Sequence, residues 1–337
     1  MTIMKLKIGF TYDAKSDYKL KPTDPPDKYA EFDDDKTIDE IESALKSSNN
    51  EVIRIGNIKN LLKRIHNGER WDIIFNICEG IKGRNRESQV PLILELFEIP
   101  FTGSDALTMG LTLDKILAKK LIAYHRIRTP DFKYINSINE LNKIKKWFSK
   151  KFPVIIKPSQ EGTSKGISND SLCDNFDKVK RQIKYILDRY KQTVLIEQFI
   201  PGYEFTVAII GNNPPEILPP VQVSINNKID LGTDFYTHRL VTTDEIKYIC
   251  PAEIDTVLHK KLCDLALKSY LILGCKDVAR IDIRVDYNME PYFLECNPLP
   301  NLGKIDIFPI VARATNRTYN QIICYILESA LKRYNLI

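Results

Sequence analysis

Residues 278–297, VARIDIRVDYNMEPYFLECN, alternate apolar and polar side chains on both sides of a turn. A period of two means extended backbone, so the segment reads as two strands joined by the turn Asp286–Pro291. On the first strand Arg280, Asp282 and Arg284 share one face, and Ala279, Ile281, Ile283 and Val285 share the other. On the second, Glu295 and Asn297 face one way and Leu294 and Cys296 the other. A hairpin brings Asp282, Glu295 and Asn297 together as three hard oxygen ligands, with Arg280 beside them. Mg2+ takes a few protein oxygens and completes its octahedron with water and phosphate oxygens, so the constellation suits a magnesium–nucleotide site. The same stretch also fits a solvated hairpin with cross-strand Arg–Asp pairs.

At 337 residues the chain exceeds one ordinary core, and two or three domains are expected. Its 43% hydrophobic and 28% charged residues are those of a soluble globular enzyme. The net charge of +5 is too small for a dedicated nucleic-acid binder. The seven cysteines are scattered and form no C-x-x-C pair. That argues against a zinc site or disulfide framework and suits a reducing cytoplasm. The opening MTIMKLKIGF lacks a long apolar core and reads as a first strand rather than a signal peptide. No run approaches eighteen apolar residues, so no membrane span is expected.

The pattern predicts strands over Leu6–Tyr12, Glu51–Ile55 and Trp71–Ile77, alternating with helices over Thr37–Ser47 and Val90–Phe97. This α/β alternation suggests an open parallel sheet covered by helices. A long Asp/Lys/Pro-rich loop, Asp13–Asp35, follows the first strand. A second unit starts near Ser104, with a helix over Thr112–Tyr124, a strand over Phe152–Lys157 and a helix over Asn175–Tyr190. The third begins at a strand over Val194–Phe199. It continues with strands over Glu204–Ile210 and Ile217–Ser224, a polar loop over Asn226–Asp244, a helix over Leu258–Leu273, the hairpin and a terminal helix over Tyr319–Tyr334. The expected division is therefore 1–103, 104–193 and 194–337.

Between the Phe152–Lys157 strand and the next helix lies Ser159–Gly166, a loop of small residues. Such residues let backbone amides approach phosphate oxygens. Lys157 stands at the strand end as a point charge, and Thr163, Ser164 and Lys165 add donors. The loop lacks the G-x-x-x-x-G-K-[ST] of a Walker A, and a flexible surface turn fits it as well. Lys115 and Lys119 are four apart on one helix and share a face, either at a site or in water. Glu197 and Glu204 flank Phe199–Tyr203 and offer carboxylates to a nucleotide or to solvent.

In chain order, FNICEG (Phe75–Gly80), QVPLILELFEIPFTG (Gln89–Gly103), LDKILAK (Leu113–Lys119), Pro153–Gly166, IEQFIPGYEFTV (Ile196–Val207), Cys250-Pro-Ala252, ARIDI (Ala279–Ile283) and LECN (Leu294–Asn297) resemble the ATP-grasp superfamily. Within it they resemble the D-alanine–D-alanine ligases. The resemblance implies an ATP-grasp fold: an N-terminal open parallel α/β domain, then two domains clamping ATP. It implies that Lys115 and Lys157 hold ATP phosphates and that Ser159, Gly162, Ser164 and Gly166 cap them. Glu197 would contact the adenine side and Glu204 the ribose. Asp282, Glu295 and Asn297 would ligate Mg2+ (or Mn2+), with Arg280, Arg239 and Thr163 serving catalysis. The implied reaction activates a carboxylate as an acyl phosphate, and an amine then displaces phosphate. Amino acids or small peptides would be the substrates, with no nucleic-acid or membrane partner, in a cytoplasmic protein that is a homodimer like many relatives. A kinase and a non-catalytic nucleotide binder are the other classes that such a cleft can serve.

The departures gather at the substrate end. The family's early Gly-Gly-x-Ser-x-Glu is absent, leaving Glu31 or Asp34 to replace its glutamate. Glu79-Gly80 stands where the family has His-Gly, and Gly83-Arg84-Asn85-Arg86 where it has Gly-Glu-Asp-Gly. His238, Arg239 and Leu240 occupy the place of a Lys-Tyr pair; Arg239 keeps the charge, and the tyrosine hydroxyl is missing. Asp306 takes the position of a serine expected to meet a substrate carboxylate. Like charges there repel unless Lys304 or a metal intervenes, so a different acceptor is expected, with Lys304 itself serving the carboxylate as the other alternative.

Overall fold

The computed structural model describes residues 5–241, 243 and 245–337, the side chains of His238 and Val241 excepted. Met1–Met4 of the N-terminal stretch, Asp244 of the polar loop and the His238 side chain thus lie outside the described residues.

Strands β1 (Lys7–Tyr12), β2 (Glu51–Gly56) and β3 (Ile73–Ile77) form a parallel sheet of order β2-β1-β3. Its helices are α1 (Asp35–Lys46), α2 (Ile58–His66) and α3 (Gln89–Leu96). Helix α1 starts where Asp34 accepts the Thr37 amide at 2.7 Å, and it buries Ile38, Ile41, Ala44 and Leu45 on one face. Helix α2 was not expected; only Leu61 and Ile65 of its nine residues are buried, too few to set a period.

Helices α4 (Ala106–Leu113) and α5 (Lys115–Tyr124) follow. The helix expected over 112–124 is cut at Asp114, which caps α5 by accepting the Ile116 and Leu117 amides. A second, antiparallel sheet contains β4 (Phe132–Ile135), β5 (Val154–Pro158), β6 (Leu172–Cys173) and β7 (Val194–Gln198) in the order β4-β7-β5-β6. The short α6 (Leu141–Ile144) and α7 (Phe176–Arg189) pack on it through Leu141, Val179, Ile183 and Ile186.

The third sheet has the order β11-β10-β8-β12-β13, with β9 beside β8. Its strands are β8 (Tyr203–Ile210), β9 (Glu216–Ile217), β10 (Val221–Ile225), β11 (Ile246–Ile249), β12 (Val278–Val285) and β13 (Pro291–Asn297). Pro219 and Pro220 split the strand expected over 217–224 into β9 and β10, because neither can donate to a ladder. Four helices complete the chain: α8 (His238–Val241), α9 (Thr256–Ile272), α10 (Phe308–Ala314) and α11 (Tyr319–Arg333). Two elements sit elsewhere than the 104 and 194 bounds placed them. Strand β7 completes the second sheet. Helix α5 buries Ala118 and Ile122 against the third sheet and α9, through Val207, Ile281 and Leu262. A cleft of about 330 Å³ is lined by β5 and β7 on one side, β8, β12 and β13 on the other, and loops of the N-terminal unit at its end.

Candidate active site

Register places Asp282 opposite Glu295 and Arg280 opposite Asn297 on the paired strands β12 and β13. Asp282 accepts from Thr206 Oγ1 at 2.7 Å, Asn297 Nδ2 at 2.9 Å, and Arg280 Nε and Nη2 at 3.1 and 3.2 Å. Asn297 donates its amide nitrogen, so its carbonyl oxygen remains for a cation. Lys115, the first residue of α5, reaches Glu295 at 2.9 Å. Burial would raise Glu295, but Lys115 and Lys157 outweigh it and hold this carboxyl at about 2. Two carboxylates and an amide oxygen are a hard donor set that fits Mg2+. The alternation in β13 is interrupted: Asp282 pairs with Glu295 but Ile283 with Phe293, leaving Leu294 as a bulge residue. Leu294 therefore lines the cleft beside Glu295 instead of facing away from it.

Lys157, next to last in β5, meets Glu197 at 2.5 Å; the fully buried Lys119 meets the same carboxylate at 2.6 Å. Burial pulls Lys119 down to about 8 although Glu197 opposes the shift. Glu197 thus braces two lysines. Glu204 accepts from Arg284 at 2.9 Å, and burial raises its carboxyl. Arg284 also donates to the Ile200, Asp234 and Gly232 carbonyls and lies over the Phe199 ring, tying the polar loop to the cleft.

In the small-residue loop, carboxylates accept two of the backbone amides. Gly162 N donates to Glu31 at 2.5 Å, and Gly166 N to Asp27 at 2.9 Å. A side chain at 162 would put a Cβ 2.8 Å from Glu31 Oε1, so any other residue there would displace the Glu31 carboxylate. Among the described residues the Thr163 and Ser164 amides have no protein acceptor, and both residues line the cleft with φ of +47° and +54°. Ser159 is not at the cleft. It is fully buried, and its carbonyl accepts the Lys115 amide at 3.0 Å, anchoring the start of α5.

At the far end Glu31 accepts from Arg86 at 2.6 Å, Lys165 at 2.8 Å and the Gly162 amide. Asp34 is spent on capping α1, so Glu31 is the one of the two that reaches the cleft. Glu79 lines it too, together with Glu87 and Asp33, which the sequence reading did not single out. Asp306 lies in the cleft with Oδ2 3.0 Å from Arg280 Nη1, so Arg280, not Lys304, answers its charge. Lys304 is about half exposed and points away, 3.9 Å from Glu40 and over the Tyr319 ring. Arg239 also stays outside the cleft lining, paired with Glu245 at 3.0 Å, because α8 turns Leu240 inward to Val223, Ile225 and Leu231. Tyr236, from the same polar loop, lines the cleft and lies close enough to Tyr248 and Arg280 to feel both.

The sequence profile described as "D-ala D-ala ligase C-terminus" matches residues 120–328. The chain is 32% identical to an uncharacterised protein, y4sG, of Sinorhizobium fredii, over 78% of this chain and 75% of that one. It is 30% identical to a D-alanine–D-alanine ligase of Carboxydothermus hydrogenoformans, over 85% and 96%. The chain belongs to the D-alanine–D-alanine ligase family. Members of this family are ATP-dependent, ADP-forming carbon–nitrogen ligases. The fold agrees: a D-alanine–D-alanine ligase of Bacillus anthracis complexed with ATP superimposes with a TM-score of 0.73 at 21% identity, covering 97% of this chain and 98% of that one. A D-Ala:D-Ser ligase of Enterococcus faecalis, VanG, gives 0.75 at 18% identity, covering 97% and 100%. Both are ATP-grasp ligase folds. No helix among the described residues is long and apolar enough to cross a membrane.

Proposed function

We propose that this family member joins an amino acid or small peptide to an amine, using ATP to form an acyl phosphate and releasing ADP and phosphate. The observation that carries the reading is one cleft in which Asp282, Glu295 and Asn297 meet Lys115 and Lys157. In that reading Lys115 and Lys157 leave their present carboxylate partners to hold ATP phosphates. The Thr163 and Ser164 amides close over the same phosphates. Glu204, fixed by Arg284, takes the ribose hydroxyls; Glu197 holds Lys119 and Lys157 in place rather than reading adenine. Asp282, Glu295 and Asn297 hold Mg2+ or Mn2+, which when bound draws charge off the transferring phosphoryl group.

The substrate carboxylate attacks the terminal phosphorus, and the amine then attacks the acyl carbon and expels phosphate. Arg280 steadies the oxyanion of that second step. The substituted substrate end favours a pair other than two D-alanines, since Asp306 presents a carboxylate beside Arg280. The seven free cysteines support a cytoplasmic setting. Phosphate release is to be measured across D- and L-amino acids, dipeptides and polyamines, singly and in pairs. A ligase releases phosphate with an acid–amine pair. Phosphate retained on the substrate means a kinase, and ATP binding without turnover means a sensor.

A further inference from the structure

The N-terminal end of the cleft holds more negative charge than its own cations answer. Glu31 is satisfied by Arg86, Lys165 and the Gly162 amide. Glu161 pairs with Lys165. Glu79 and Glu87 remain. One carboxylate oxygen from each lies within 4.8 Å of the other and of Glu31. Glu87 is only 8% exposed, lines the cavity, and has no hydrogen-bond donor among the described residues; Arg86 Nη2 stays 3.7 Å from it. Glu79 lines the cavity with no hydrogen-bonded partner among them either. A buried acid without a donor costs more than an acid in water, and a ligand cation removes that cost.

We propose that Glu79 and Glu87 form a subsite for a second ammonium group, so that one substrate of the ligase is a diamino acid. The inference rests on the ligase reading and names its substrate class. An ordinary amino acid is a zwitterion and brings no net charge to this end. Its carboxylate must point to the phosphate lysines, and Lys115 lies close enough to feel both Glu31 and Glu87. A side-chain ammonium supplies the missing positive charge, and its three donors match two converging carboxylates. A bare divalent ion suits the place less well, because Glu31 already accepts three donors and leaves only Glu79 and Glu87 to coordinate it. Burial, with Glu87 and Glu31 nearby, pushes Glu79 well above the usual carboxylate range; burial outweighs Arg86 and takes Glu87 up to about 7, as expected for acids awaiting a cation.

The test is steady-state phosphate release by the full chain with ATP and Mg2+. Alanine, 2,3-diaminopropionate, ornithine and lysine are compared in both stereochemical forms, alone and in pairs. The best diamino acid is expected to exceed alanine in kcat/KM by about tenfold or more, the worth of one charge-assisted hydrogen bond. In Glu79→Gln and Glu87→Gln that preference should fall by a similar factor. Alanine turned over as well as every diamino acid, or an unchanged preference in both variants, overturns the proposal while leaving the ligase reading intact. No phosphate release with any pair overturns both. Mn2+ bound without nucleotide, seen by electron paramagnetic resonance and lost in the two variants, would assign the carboxylates to an ion and overturn the subsite.

Discussion

Both ends of the cleft are crowded with carboxylates, and they treat them in opposite ways. At the hairpin end Asp282 accepts from three side chains, and Glu295 is held at about 2 by Lys115 and Lys157. At the N-terminal end Glu87 and Asp33 are pushed up to about 7 by burial. The residue types are the same; the placement of cations differs. Lys115, Lys157 and Arg280 surround the first group, whereas Arg86 and Lys165 are already engaged by Glu31 and Glu161 at the second. A carboxylate kept ionised is ready for a metal. One left without a donor is ready for a ligand's cation or a proton.

The contrast breaks most visibly at Glu295. Glu295→Gln should lower turnover by about a thousandfold, since a metal site supplies several kcal/mol of transition-state stabilisation. Retention of a tenth of the activity would mean that the hairpin end holds no catalytic metal. Arg280→Ala comes next, with an expected loss of about 10²–10³ in kcat and little change in ATP affinity by calorimetry. Equal losses in both would make Arg280 a nucleotide-binding group. Glu31→Ala acts on stability instead. It takes a shared carboxylate from the nearly buried Arg86 and Lys165, which keep the Gln160 carbonyl and Glu161 respectively, and should cost about 2 kcal/mol in thermal or denaturant unfolding. An unchanged midpoint would show that Glu31 does not join the N-terminal unit to the phosphate loop.

How much of this was readable in advance follows from how local each signal is. The hairpin was legible because a period of two survives in the sequence whatever surrounds it, and Asp282, Glu295 and Asn297 do meet. The Leu294 bulge was not, because a register shift depends on the partner strand. Lys115 and Lys157 were found as charges near loops, but their carboxylate partners lie on other elements. The position of Ser159 in a small-residue loop suggested phosphate; its burial behind α5 is decided by a helix more than forty residues earlier in the chain. Lys304 and Arg239 were placed by charge alone, and Glu40 and Glu245 drew them outward. At the N-terminal end Glu87 had no motif. Only the fold brings it to Glu31 and Glu79.

The smallest effect separates the two kinds of acid by the sign of their pH dependence. Glu87 moves from its usual 4.5 up to about 7 in the fold, and Asp33 from 3.8 to about 7. The folded chain therefore keeps protons that the unfolded chain gives up, and stability falls as pH rises from about 4 through 7. Glu31 runs the other way. Burial pushes it up, but Arg86 and Lys165 outweigh burial, so its contribution is present above 4.5 and is lost as pH falls below that value. Unfolding midpoints across this range should thus show Glu87→Gln gaining on the wild type as pH rises, with the gap closing near pH 4.5. Glu31→Ala should lose most at neutral pH and approach the wild type in acid. Curves for Glu87→Gln and the wild type that stay parallel would mean that Glu87 already has a partner for its charge. A saturating diamino acid should flatten the wild-type slope in the same window, because an ammonium on Glu87 keeps the carboxylate ionised without the burial penalty.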